Sequence, residues 1–172
     1  WAGNFARFIA VSYKESFPFF PADRTAHVGQ PVRPELEHPA TGGLEYLQLE
    51  SGVPVIFILG GSLGAQIIND RILDALPELI GNYQIVHQTG KANFDEVQKR
   101  ADHILSNSEF KSRYKPFPFL NVLAMRMAAG VASIIVSRAG SALFEIASWG
   151  VPSIIIPFAV SNNDHAKKNA FA

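Results

Sequence analysis

Four short apolar runs that lack polar alternation, separated by helix-length segments, constrain this chain more than any other feature. They are Val55-Ile56-Phe57-Ile58-Leu59, Gln84-Ile85-Val86-His87, Ser133 to Val136 and Ser153 to Ile156. A strand with one wet face alternates apolar and polar residues, whereas an uninterrupted apolar run is covered on both faces, as in a parallel sheet. Helix candidates lie between and after them at 64–79, 93–107, 121–129, 141–149 and 164–172. The pattern predicts an α/β fold, a Rossmann-like doubly wound parallel sheet.

With 172 residues the chain holds one ordinary domain with a real core and is too short for two large ones. Before Val53 the texture differs. Phe8-Ile9-Ala10-Val11-Ser12 and Thr25-Ala26-His27-Val28 read as short strands flanking an aromatic, proline-bearing segment from Phe17 to Pro21. From Gly29 to Gly52 the composition is that of a linker, with Pro31 and Pro34 on either side of Arg33. The expected organisation is therefore a tail of a preceding domain at 1–28, a hinge at 29–52 and a ligand-binding domain at 53–172. The chain starts at Trp1 and stops within a helix-like segment, so it is read as a fragment.

Fifteen basic residues balance fifteen acidic ones, which argues against nucleic-acid binding by bulk attraction. No cysteine is present, so disulfide scaffolds and thiolate metal sites are excluded, as suits a cytosolic protein. Two uncharged stretches, Gly52 to Asn69 and Ile146 to Asn163, approach membrane-spanning length. Each is broken by glycine or proline, and both read better as strand, turn and helix.

The run Ile134-Ile135-Val136 delivers Ser137-Arg138-Ala139-Gly140-Ser141 to the start of a helix, with Glu145 one turn inside it. Free amides and the helix dipole at such a turn favour an anion. A carboxylate there suits sugar hydroxyls instead, so the pair suggests a nucleotide with phosphates at the turn and ribose at Glu145. Read without a ligand, a glutamate in a first helical turn is favoured by the dipole alone, by roughly 0.3–1 kcal/mol.

Gly60-Gly61-Ser62-Leu63-Gly64-Ala65-Gln66 forms a second strand-to-helix junction, which reads equally as a phosphate turn or as a tight turn before a capped helix. Arg33 and Arg138 are candidate cations for a diphosphate, and Asn162-Asn163-Asp164-His165 follows the last strand at the same rim. Neither GxGxxG nor GxxxxGK[ST] occurs, which disfavours nicotinamide dehydrogenases and P-loop NTPases. No pair of histidines or carboxylates has metal-ligand spacing, and His27, His38, His87 and His103 read as structural.

Together GGSLGAQ at 60–66, SRAGSALFEIASWGVPSIIIPF at 137–158 and SNNDHAKKNA at 161–170 resemble the C-terminal half of the MurG-type N-acetylglucosaminyltransferases of glycosyltransferase family 28. Gly29-Gln30-Pro31-Val32-Arg33 resembles that family's interdomain crossing, and His87-Gln88-Thr89-Gly90 its second strand-end motif. The resemblance implies a two-domain GT-B fold whose C-terminal domain holds UDP-N-acetylglucosamine. It also implies a lipid-linked acceptor held by an N-terminal domain, and peripheral attachment to the cytoplasmic face of the bacterial plasma membrane.

Carried over residue by residue, Arg33, Gly61, Ser62 and Gly64 would meet the diphosphate or the uridine edge, and the backbone of Leu120 would pair with uracil. Arg138 and Gly140 would lie at the phosphate turn, Ser141, Ala142, Leu143 and Phe144 would present amides to the diphosphate, and Glu145 would hold the ribose. Asp164, His165 and Ala166 would lie near the donor sugar, where Ala166 departs from the family's usual glutamine. The implied reaction is inverting transfer of N-acetylglucosamine to lipid I in peptidoglycan synthesis, with no metal or other cofactor. The resemblance places the general base outside this sequence, so no catalytic residue is assigned and the chain alone is expected to bind donor without turnover. A donor-binding subunit of a two-chain transferase, a non-catalytic UDP-sugar module and a UDP-sugar epimerase are the competing readings.

Overall fold

Residues 5–60 and 66–157 are described by the structure, a computed structural model. Two short strands, β1 (Ile9–Val11) and β2 (Thr25–His27), pair in parallel as a small separate sheet around the aromatic, proline-bearing segment. The main sheet contains β3 (Val55–Leu59), β4 (Gln84–Gln88), β5 (Tyr114–Phe117), β6 (Ala132–Arg138) and β7 (Ser153–Ile156). All of its pairings are parallel, in the order β5-β4-β3-β6-β7.

Of the four unalternated runs, β3 and β4 are buried along their whole length because each side of the sheet is covered there, whereas Ser153 and Ile154 of the edge strand β7 are exposed among the described residues. Phe57 and Val86 face one apolar cluster, together with Ala128 of α4 (Val122–Val131) and Ile146 of α5 (Ala142–Trp149). Ile58 and Ile85 face the other, with Ile68 and Leu76 of α2 (Gln66–Leu79) and Val97 of α3 (Phe94–Ile104). Each fully buried side chain of this kind contributes roughly 1.5–3 kcal/mol. The fifth strand, β5, is absent from the sequence reading. Lys115 and Pro116 interrupt its apolar pattern, and proline is tolerated there because β5 lies at a sheet edge.

The stretch expected to be a hinge is packed from Pro34 onward. A short helix α1 (Gly43–Tyr46) lies against α4, and Leu36 and Leu47 are buried. Trp149 Nε1 donates to the Leu36 carbonyl at 2.6 Å. Gln84, buried at the start of β4, accepts from Glu50 N at 2.6 Å and donates to Glu50 O and Val53 O. Linker composition here encodes turns that dock, because its few apolar residues fall on one surface of the domain.

Chain order and sheet order together fix where a ligand fits. From β3 the chain moves outward through β4 to β5, then returns to the opposite side of β3 with β6 and β7. The direction reverses between β3 and β6, and a crevice opens at such a switch point beyond the strands' C-terminal ends.

Candidate functional site

A cleft of about 700 Å³ lies at that switch point, within the size range of small-molecule sites. Its floor is made by strand-end residues Leu59 of β3, Gln88 of β4, and Ser137 and Arg138 of β6. Its walls are Gly140, Ser141, Ala142 and Glu145 on one side and Phe119, Leu120, Asn121, Val122 and Met125 on the other. Arg33 and Leu36 reach it from the N-terminal segment.

The turn after β6 is held by Ala139 N donating to Ile156 O of β7 at 3.2 Å and by Gly140 N donating to Arg138 O at 2.8 Å. The helix that follows, α5, ends at Gly150 in the left-handed conformation that glycine adopts without strain. Among the described residues, the amides of Ser141 and Ala142 have no acceptor, so this end of α5 can receive an anion.

The expectation that four successive amides face the ligand is corrected for Leu143 and Phe144. Leu143 N donates to Gly140 O and Phe144 N to Ser141 O, at 3.2 and 3.3 Å, because the chain begins to coil before Ala142. Neither residue lines the cleft. Residues three apart share a helix face, so Ala142 and Glu145 look into the cleft while the intervening pair turns away. The Phe144 ring instead packs 5.8 Å from the ring of Tyr13, joining α5 to the β1–β2 lobe.

Glu145 is the anionic wall of the site. Its side chain is 14% exposed, against 57% for Arg33, which donates from Nε at 3.1 Å and from Nη2 at 2.9 Å. Both bonds end on Oε1, and Oε2 accepts none among the described residues. Arg33, expected as a cation for phosphate, is here paired with Glu145. That pairing spans 112 positions and has no local sequence signal.

The opposite wall also departs from expectation. The Leu120 amide is donated to Gln88 Oε1 at 2.9 Å and is not free for a base, which leaves the Leu120 carbonyl. Asn121 caps α4 by accepting from Ala124 N at 2.9 Å. In the sequence Gln88 stands out only as part of a strand-end motif; its place in the cleft follows from being the last residue of β4.

Behind Gln88 lies a buried polar network. Asn69 Nδ2 donates to Thr89 O at 3.0 Å, which fixes Asn69 Oδ1 as the acceptor for His87 Nε2–H at 3.0 Å. His87 Nδ1 then accepts from the Tyr114 hydroxyl at 2.9 Å. Burial pulls the His87 pKa down to about 3 and pushes the Tyr114 hydroxyl above its usual range, so both stay neutral. His87 is structural, as its isolation in the sequence suggested, and it anchors the turn that carries Gln88 and Thr89.

The structure therefore gathers Arg33, Leu120, Arg138, Gly140, Ser141, Ala142 and Glu145 around one cleft. Gly61, Ser62, Gly64, Asp164, His165 and Ala166 lie outside the described residues.

Comparison with known proteins gives this cleft a family. Residues 55–172 match the glycosyltransferase family 28 C-terminal domain. A UDP-N-acetylglucosamine--N-acetylmuramyl-(pentapeptide) pyrophosphoryl-undecaprenol N-acetylglucosamine transferase of Treponema denticola is 40% identical over 160 residues, covering 90% of this chain and 41% of that protein. The enzyme of the same name from Pediococcus pentosaceus is 34% identical over 171 residues, covering 98% of this chain and 46% of its own length. The chain thus spans less than half the length of these relatives. Among solved structures, Acinetobacter baumannii MurG superposes with a TM-score of 0.60 at 26% identity, over 88% of this chain and 42% of that one. UDP-GlcNAc 2-epimerase from Neisseria meningitidis shares the fold, with a TM-score of 0.62 at 17% identity over 96% of this chain and 48% of that one. The chain belongs to glycosyltransferase family 28, whose C-terminal domain it carries.

Proposed function

We propose that this chain binds the sugar donor UDP-N-acetylglucosamine for transfer, with inversion, to a lipid-linked acceptor; its relatives are named as transferases of N-acetylglucosamine between UDP-N-acetylglucosamine and a pyrophosphoryl-undecaprenol-linked acceptor. The observation that carries this reading is the cleft at the switch point, with Glu145 on one wall and Leu120 on the other. In this reading the unoccupied Glu145 Oε2 accepts from the ribose hydroxyls. Such charge-assisted bonds contribute roughly 1.5–3 kcal/mol. The Ser141 and Ala142 amides, with Arg138 on the floor, receive the diphosphate. Uracil enters beside Leu120, over Leu36 and Met125.

The chemistry asked of these groups is stabilisation of a leaving group. As an acceptor hydroxyl forms its bond to the anomeric carbon, the bond from that carbon to the diphosphate breaks and its electron pair moves to the phosphate oxygen. In this reading the two amides and the guanidinium stabilise that oxygen as its charge develops, as donors do in an oxyanion hole. The hydroxyl proton passes to a base that this reading assigns to none of the cleft residues. By resemblance alone, Gly61, Ser62 and Gly64 are further assigned to the phosphates and Asp164, His165 and Ala166 to the sugar; these residues lie outside those the structure describes, and no metal is part of the proposal. Attachment to the cytoplasmic membrane surface belongs to the same proposal; among the described residues no helix is long and apolar enough to cross a membrane.

Calorimetric titration with UDP, UDP-N-acetylglucosamine and UDP-glucose tests the assignment. Binding of all three, tightest for UDP-N-acetylglucosamine, is expected. Absence of UDP binding contradicts the whole reading, and equal affinity for all three removes the sugar assignment while leaving the nucleotide site.

A further inference from the structure

We propose that Gln88 reads the base in this cleft, its side-chain amide selecting a uracil C4 carbonyl over a cytosine C4 amino group. The inference rests on the uridine reading above and goes beyond it by naming the group that sets base identity.

Gln88 is a polar side chain with 2% of its surface exposed, yet it lines the cleft. Its two ends are treated differently. Oε1 accepts from the Leu120 amide at 2.9 Å, which fixes which end is oxygen and which is nitrogen. Nε2 has no hydrogen-bond partner among the described residues, and no buried side-chain nitrogen there lacks one, so Nε2 keeps accessible surface, which we place on the cleft that Gln88 lines. A nearly buried amide whose NH2 group has no protein partner favours an acceptor on whatever fills the space.

Depth in the cleft says which part of a nucleotide meets it. The side chains of Arg33 and Glu145 are 57% and 14% exposed, whereas Gln88, at the strand-end floor of the cleft, is 2% exposed as a whole residue. With ribose at Glu145, the base atom that reaches deepest is the one farthest from the glycosidic nitrogen, on the C4 edge. Uracil offers a carbonyl acceptor there and an N3–H donor beside it. The pair matches the Nε2 donor of Gln88 and the Leu120 carbonyl. Cytosine offers an amino donor and a bare N3, so donor would meet donor and acceptor would meet acceptor. Two mismatches of this kind predict a preference of roughly 100-fold for UDP over CDP.

The test is the ratio of UDP to CDP affinity, measured by calorimetry at pH 8 on the 172-residue chain and on Gln88→Glu. Glutamate keeps an oxygen for the Leu120 amide and replaces the donor by an acceptor. Its added charge weakens both nucleotides alike and cancels in the ratio. The ratio is expected to narrow at least 10-fold. An unchanged ratio in a variant that still binds UDP overturns the inference, as does a wild-type chain that binds both nucleotides equally. Failure to bind UDP at all overturns instead the uridine reading on which it rests. Should Gln88→Glu not fold, 4-thio-UDP on the wild-type chain decides. Its sulfur is a poor acceptor, so affinity about 5- to 10-fold below that of UDP supports the role of Gln88, and equal affinity overturns it.

Discussion

At the scale of single residues, the buried His87 carries a consequence for stability. Its pKa falls from the ordinary 6.5 to about 3 in the folded chain because burial disfavours the imidazolium. Below pH 6.5 the unfolded chain takes up a proton that the folded chain refuses. The contribution is therefore complete above that pH and is lost as pH falls toward 3. The loss is about 1.4 kcal/mol per pH unit within that window. Urea unfolding at pH 7, 6 and 5 should show this slope, and a His87→Gln variant should lack it. An identical slope in the variant would mean that other groups dominate. Gln88, the neighbour of His87 in the strand, points to the opposite face of the sheet and into the cleft. Adjacent positions on one strand thus divide into a structural anchor and a ligand-facing group.

At the scale of elements, the docking of α1 on α4 depends on close backbone approach. A Cβ placed on Gly130 would collide with the Ala40 carbonyl oxygen, and one on Gly43 with the Met127 carbonyl oxygen. In an exposed helix, glycine to alanine gains up to about 1 kcal/mol. Here the clash falls on backbone that is itself fixed by Ala40 N donating to Arg126 O at 3.0 Å. Gly130→Ala is accordingly expected to destabilise by roughly 1–3 kcal/mol, measurable as a lower urea midpoint. A gain in stability would mean that α1 and the segment before it are not docked as described.

The same elements show how far sequence could go. The run Val55–Leu59 was legible to the residue because a strand buried on both faces has no polar interruption, and Ser153–Ile156 was legible from its β-branched run although its first two residues are exposed. The edge strand Tyr114–Phe117 was not, since an edge tolerates lysine and proline. Nor was the docking of 34–52, which depends on Leu36, Gly43 and Leu47 meeting residues far along the chain. In the cleft, Glu145 and the turn before it were legible from their local pattern. The Arg33–Glu145 pair and the capture of the Leu120 amide by Gln88 were not, because each joins distant segments through tertiary geometry.

At the scale of the molecule, the sheet order places the strand-end residues of the cleft at one rim, and the family match and the MurG superposition agree with that fold. The central claim is that Glu145, steadied by Arg33, holds the ribose of a uridine nucleotide through its free carboxylate oxygen. The direct measurement is calorimetric titration of UDP into the wild-type chain and into Glu145→Gln, with circular dichroism to establish that both are folded. Affinity about 10- to 100-fold weaker in the variant is the expected result. Equal affinity in the two folded proteins would contradict the claim.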